Sequence, residues 1–303
     1  MISVFMGYSA MIDVKRWMVP FACLAVGVAA GGFSSLATAA EAPGRVVFAP
    51  HRAVYDVQMA RGSPGTGVAD MSGRLVYELK GSACEGYTQD MRFVTTSSSS
   101  EGSEQVNDMR QTSFEEPGGR TMRFNSAQYH DQQAAEVTQG QAGRRGSDGT
   151  VLIELTKPAR KALSLPGTVY FPIQHSIAML EAAKSGARFF PGDVYDGSEK
   201  GDKVSATSTL IGKAGTGAGD HLPAGVANVE KLAGMAYWPV ATSYFEKDKA
   251  FDAKDQVPNY EMAAHFYENG VSTHLLMDYG EFALKGELTE LTFLPASDCP
   301  AGK

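Results

Sequence analysis

A chain of 303 residues, 43% hydrophobic and 20% charged, has globular composition and room for a large core. Its formal net charge of −7 argues against a nucleic-acid partner, because neutralising phosphates takes a basic surface. Six histidines and three cysteines without His-x-His, His-Glu-x-x-His or clustered spacing argue against a metal centre, and no motif calls for a cofactor.

The N-terminus reads as an export signal. Lys15 and Arg16 precede an apolar run from Trp17 to Gly32, and small residues lead to Ala37-Thr38-Ala39, a fitting cleavage site. Residues 1–39 are therefore expected to be removed, leaving 40–303 as one exported domain; Met1 and Met11 are both candidate starts. A retained anchor is the alternative, but the run is short for a span and interrupted by Pro20. Cys23 leaves with the signal. Cys84 and Cys299 remain, and in an oxidising compartment a disulfide between them is the expected state, with two unpaired buried thiols as the alternative. Neither lies in a Cys-x-x-Cys, so the pair reads as a staple rather than a redox site.

From His51 the pattern is strand after strand. Ala53, Tyr55, Val57 and Met59 alternate with polar residues; so do Leu75, Tyr77 and Leu79, and then Tyr87, Met91 and Phe93. Three such runs separated by tight turns predict an antiparallel meander. Strands are expected again at 106–114, 121–124 and 151–155, with residues 130–149, rich in Gln, Gly and Arg, as a long hairpin tip or mobile loop.

One helix interrupts the series, at about residues 172–186. Pro172 suits its first turn and Gly186 its exit. Ile173, Ile177 and Leu180 share one side and Met179 lies beside or across from them, so the helix is apolar around most of its circumference and should be buried in the concave face of a curled sheet. Six more strands are predicted between Arg188 and Phe293, around a Gly-rich connection at 212–225. The predicted class is all-β and mainly antiparallel: one large curved, spiral or partly closed sheet holding one helix. If the sheet curls widely, Tyr55, Tyr77, Tyr87, Phe93, Ile173, Ile177, Met179 and Leu180 are the candidate lumen- or ligand-facing residues.

Candidates for chemistry are few. Ser198 in Asp196-Gly197-Ser198, with His175 at the helix start, is the best nucleophile–base assembly for a hydrolase, but Asp-Gly-Ser is above all a turn and no Gly-x-Ser-x-Gly elbow exists. His265 and His274 can meet across a hairpin, which still makes only two ligands. Gly215-Thr216-Gly217-Ala218-Gly219 lacks the Lys-Ser/Thr of a phosphate-binding loop. The reading is a non-enzymatic protein.

Several stretches, taken in order, resemble the cell-envelope-integrity EipB family of exported α-proteobacterial proteins. They are His51-Arg52-Ala53-Val54-Tyr55-Asp56, Gly73-Arg74-Leu75-Val76-Tyr77-Glu78, Ala83-Cys84-Glu85-Gly86-Tyr87-Thr88, Phe171-Pro172-Ile173-Gln174-His175, Tyr195-Asp196-Gly197-Ser198 and the closing Cys299-Pro300. The resemblance implies a periplasmic β-spiral with a helix in its lumen and a Cys84–Cys299 disulfide, and it transfers no catalytic residues to this chain. It also implies a role in Gram-negative envelope integrity and stress resistance, a link to a periplasmic tetratricopeptide-repeat protein, and a fold similar to lipoprotein carriers. The expected ligand is a lipid, a lipoprotein segment or a protein partner on the curved sheet; a purely structural scaffold is the alternative.

Overall fold

Period-two alternation becomes one sixteen-stranded sheet in the computed structural model, which describes residues 46–62, 68–218, 222–247, 257–296 and 299. The expected signal segment and both candidate starts lie outside the described residues. The first half is an uninterrupted antiparallel meander. It runs through β1 (His51–Gly62), β2 (Val68–Ser82), β3 (Gly86–Ser99), β4 (Glu104–Glu115), β5 (Thr121–His130), β6 (Gln133–Arg145), β7 (Thr150–Lys157) and β8 (Lys161–Leu165).

A two-residue strand, β9 (Val169–Tyr170), leads into the helix α1 (Pro172–Lys184), and β10 (Phe189–Val194) returns parallel to β9. The antiparallel pattern then resumes through β11 (Ser205–Ile211), β13 (Ala236–Glu246), β14 (Tyr260–Tyr267), β15 (Ser272–Asp278) and β16 (Phe282–Phe293). A short β12 (Gly215–Thr216) adds to β13.

β16 pairs with β1, so the two halves join and the sheet's free edges are β8 and β9, neighbours in sequence. Curling brings those edges toward each other without hydrogen-bonding them. The loop after β10 spans the seam instead: Lys200 N–H donates to Glu136 on β6 (3.0 Å), Lys161 on β8 to Asp202 (2.8 Å), and the Gln111 amide on β4 to the Asp196 carbonyl (3.2 Å). Arg144 on β6 adds bonds to the carbonyls of Gly167 (2.8 Å) and Val169 (2.6 Å).

Residues 130–149, expected as a hairpin tip or mobile loop, are instead the end of β5, a two-residue turn, all of β6 and the turn at 146–149. The turn is Asp131-Gln132, both with positive φ (47° and 67°), as two-residue hairpins require. The strand pattern was hidden because the inward positions of β6 must be small. A Cβ on Gly140 would lie 2.8 Å from the Phe124 ring and 2.7 Å from the Glu154 carbonyl, so Phe124 and Leu155 fill space that a large side chain on β6 would otherwise take. The sequence reading also lacks β8, β9 and β12; β9 and β12 have two residues each, too few to show a period.

The helix falls where the sequence placed it, ending two residues earlier, with Gly186 at φ 89° just beyond. Ile173, Met179, Leu180 and Ala183 join a core built from the inward faces of β1–β4 and β11–β16. A second, smaller core gathers Met122, Phe124, Val151, Ile153 and Leu155 from β5–β7 around Phe171 and Tyr195. Phe171 immediately precedes α1 and Tyr195 immediately follows β10, so the second core closes the seam from within.

Candidate functional site

Every candidate lumen residue lies in the curl, and side chains fill the space between them. Tyr55 and Phe93 are fully buried, as are Met179 and Leu180; Tyr77, Tyr87 and Ile173 expose at most 4%. The Tyr55 hydroxyl donates to the Ser272 carbonyl (2.7 Å), and the Tyr87 hydroxyl joins the backbone of Phe48. Tyr87, Ile173 and the half-buried Ile177 also line a cavity of about 150 Å³ at the N-terminal end of α1.

That end of the helix holds a group the sequence reading missed. Glu115, the last residue of β4, is 2% exposed and accepts from the amides of Ile173 (Oε1, 2.7 Å) and Gln174 (Oε2, 3.2 Å). It caps the helix from another strand, because Phe171 at the N-cap offers no acceptor side chain. Burial pushes its carboxyl up to about 7, and the two amides and the nearby Arg144 guanidinium pull the other way. The signal was present in the alternation: Met109, Gln111, Ser113 and Glu115 share the inward parity of β4, and an acid at an inward position needs a partner.

The nucleophile–base pair is held apart by other partners. The His175 Nε2 pairs with the Thr207 hydroxyl (3.0 Å), and burial lowers the ring's pKa to about 4. The Ser198 hydroxyl donates to Asp196 Oδ1 (2.8 Å), which also accepts from the Ser198 amide (2.9 Å). That is an Asx-turn, and it anchors the seam loop. Burial raises the Asp196 carboxyl above its usual range. His265 and His274 do meet, with ring centroids 4.4 Å apart, and Tyr237 stacks on His265 at 4.6 Å. Among the described residues no group of three or more ligating side chains surrounds a metal position.

The two cysteines are bonded. Cys84 lies in the turn between β2 and β3, Cys299 beyond β16, and their Cα atoms are 5.7 Å apart. No described helix is long and apolar enough to cross a membrane.

The outer face of the second half carries a feature that only strand register creates. Phe189 pairs with Leu210, Leu210 with Ala241, Ala241 with Ala263, and Ala263 with Leu276. These five apolar residues form one row across β10, β11, β13, β14 and β15, about 19 Å from end to end at ordinary strand spacing. Phe189 is 51% exposed, Leu210 62% and Leu276 40%. The two alanines make a shallow floor between the larger side chains. The adjacent row on the same face, Pro191, Ser208, Ser243, Glu261 and Asp278, is polar and ends in two acids.

The comparisons with known proteins agree with this architecture. The EipB-like family model matches residues 42–295. The chain is 35% identical over 260 residues to "Cell envelope integrity protein EipB" of Brucella abortus (strain 2308), covering 86% of this chain and 88% of that one. It also superposes, with a TM-score of 0.73 and 33% identity, on the crystal structure of a beta-barrel-like protein of domain of unknown function DUF1849 from Brucella abortus, over 82% of this chain and 99% of that chain. Matched along nearly its whole described length, this chain belongs to the EipB-like family.

Proposed function

We propose that this protein is a non-enzymatic factor that acts in the periplasm to maintain the integrity of the Gram-negative cell envelope, by binding a protein partner on the outside of its curved sheet. Support for the envelope role comes from the relative named for it, and support for export from the signal-like residues 1–39. The observation that carries the mode of action is the exposed row Phe189–Leu210–Ala241–Ala263–Leu276 beside a lumen packed with side chains. A contiguous apolar strip on an otherwise polar surface favours association. The tetratricopeptide-repeat protein implied by the resemblance is the first partner to try.

A lipid or lipoprotein ligand, the second reading, is favoured by the 150 Å³ cavity beside Tyr87, Ile173 and Ile177, whose partly apolar wall suits an alkyl group. The experiment is complementation of a deletion strain under detergent stress with Leu210→Asp/Leu276→Asp, alongside native mass spectrometry of protein purified from periplasm. The partner reading expects a folded double variant that fails to restore growth, and wild-type protein that carries no lipid. Full complementation by the variant overturns it; co-purified lipid moves the function to the cavity.

A further inference from the structure

The meander half of the sheet carries a second outer-face feature, distant in sequence from the apolar row and opposite to it in chemistry. Two neighbouring cross-strand rows on β4–β7 line an open groove of about 400 Å³. In the first row Phe114 pairs with Arg123, Arg123 with Gln141, and Gln141 with Glu154. In the second Thr112 pairs with Asn125 and Asn125 with Gln139, where β6 and β7 slip register between Gln139 and Gly140. Such bulges bend a sheet locally and commonly adjoin binding sites.

Two polar side chains in the groove are uncommitted, and the rest are held by their neighbours. Among the described residues the Asn125 and Gln139 side-chain amides have no hydrogen-bond partner, and the Arg123 guanidinium pairs with no carboxylate, lying 5.1 Å from the Phe114 ring centroid. The Gln141 amide donates to Glu154 (2.7 Å), which orients its carbonyl and leaves the second carboxylate oxygen of Glu154 free to accept. Thr112 donates to Asp90 (2.7 Å), fixing that end of the floor.

From this arrangement we infer that the groove binds an uncharged saccharide, lying across β4–β7 for about 14 Å, three ordinary strand spacings. One guanidinium and one carboxylate in the same row cancel, so the groove selects neither an anion such as phosphate nor a cation. Of its two aromatic rings, Phe114 and Phe124, the second is only 4% exposed at the floor, which leaves too little apolar surface for an acyl chain or an apolar peptide. Side-chain amides, by contrast, each present donors and an acceptor. Together with one carboxylate and one guanidinium they match the donor–acceptor pairs of vicinal hydroxyls and of N-acetyl groups. The exposed part of the Phe114 ring offers a flat apolar surface to the axial C–H face of a sugar. The strands are paired throughout, so no free backbone edge competes to bind an extended peptide.

Saturation-transfer NMR and calorimetry with chitotetraose and maltotetraose test this on the purified mature chain. Expected are saturation transfer to ring protons of at least one sugar and a Kd that rises about tenfold in Asn125→Ala/Gln139→Ala, the loss of two hydrogen bonds. Phe114→Leu should weaken binding while leaving the melting curve unchanged; Leu210→Asp/Leu276→Asp should leave it intact. No transfer from either sugar, or binding indifferent to the Asn125/Gln139 pair, overturns the inference. Sugar binding that follows Leu210 and Leu276 instead would also overturn it and assign the saccharide to the other face.

Discussion

Cys84 and Cys299 are 215 residues apart in sequence and 5.7 Å apart between Cα atoms. Cys84 sits in the β2–β3 turn and Cys299 follows β16, while β1 lies between β2 and β16 in the sheet. The bridge therefore fastens the chain's end across β1 at the junction of the two half-sheets. It is far in the topology from the unpaired edges β8 and β9.

Closing a loop of that length stabilises the folded state by about 5 kcal/mol on the chain-entropy model. Cys84→Ser, or reduction of the native protein, should lower the melting temperature markedly while leaving far-UV circular dichroism at room temperature strand-like. Calorimetry with and without reductant checks it, and identical melting curves would rule out the staple.

Glu115 contributes an opposite pH slope to that of the buried histidines. Its carboxyl is raised from 4.5 to about 7 in the fold, so the folded state binds its proton more tightly than the unfolded chain does. Its contribution to stability is fully present below about 4.5 and is lost as pH rises toward 7. His51 and His175, lowered from 6.5 to about 4 by burial, do the reverse and destabilise the fold as pH falls through that window. Relative to wild type, Glu115→Gln should gain stability steadily from pH 4.5 to 7 and then level off. Denaturant melts at several pH values measure the difference; a pH-independent offset would remove the assigned role.

Gly140 permits the second core. Gly140→Ala places a methyl against the Phe124 ring and the Glu154 carbonyl, and overpacking of this kind costs about 1–3 kcal/mol. Urea midpoints should fall accordingly. Gly102→Ala, where no atom lies within 4 Å of the new Cβ but φ is +83°, reports backbone strain without overpacking and so separates the two causes.

Ser198 serves a turn. Ser198→Ala removes the hydroxyl bond to Asp196 but keeps the amide bond, and should reduce stability by about 1 kcal/mol while restoring envelope function fully in a deletion strain. A stable Ser198→Ala protein that fails complementation would revive the hydrolase reading.

Much of this fold was legible along the chain. Tyr77 and Leu79, or Tyr87 and Phe93, alternate with polar neighbours because one face of each strand meets the core and the other meets water, and that alternation survives in sequence as period two. Apolar residues around most of the circumference of α1 announced its burial in the sequence. β6 did not announce itself, because its inward positions are occupied by other strands' side chains and therefore read as Gly, Ala and Thr.

The sequence by itself determined the strand-rich class and the buried helix, both of which follow from local periodicity and composition. Which strands join remained for the tertiary structure. Register alone aligns Phe189 with Leu276 across five strands, sets Asn125 beside Gln139, and brings Glu115 beneath a helix 58 residues away. These are relations between distant segments, set by how far the sheet curls before its own side chains fill it.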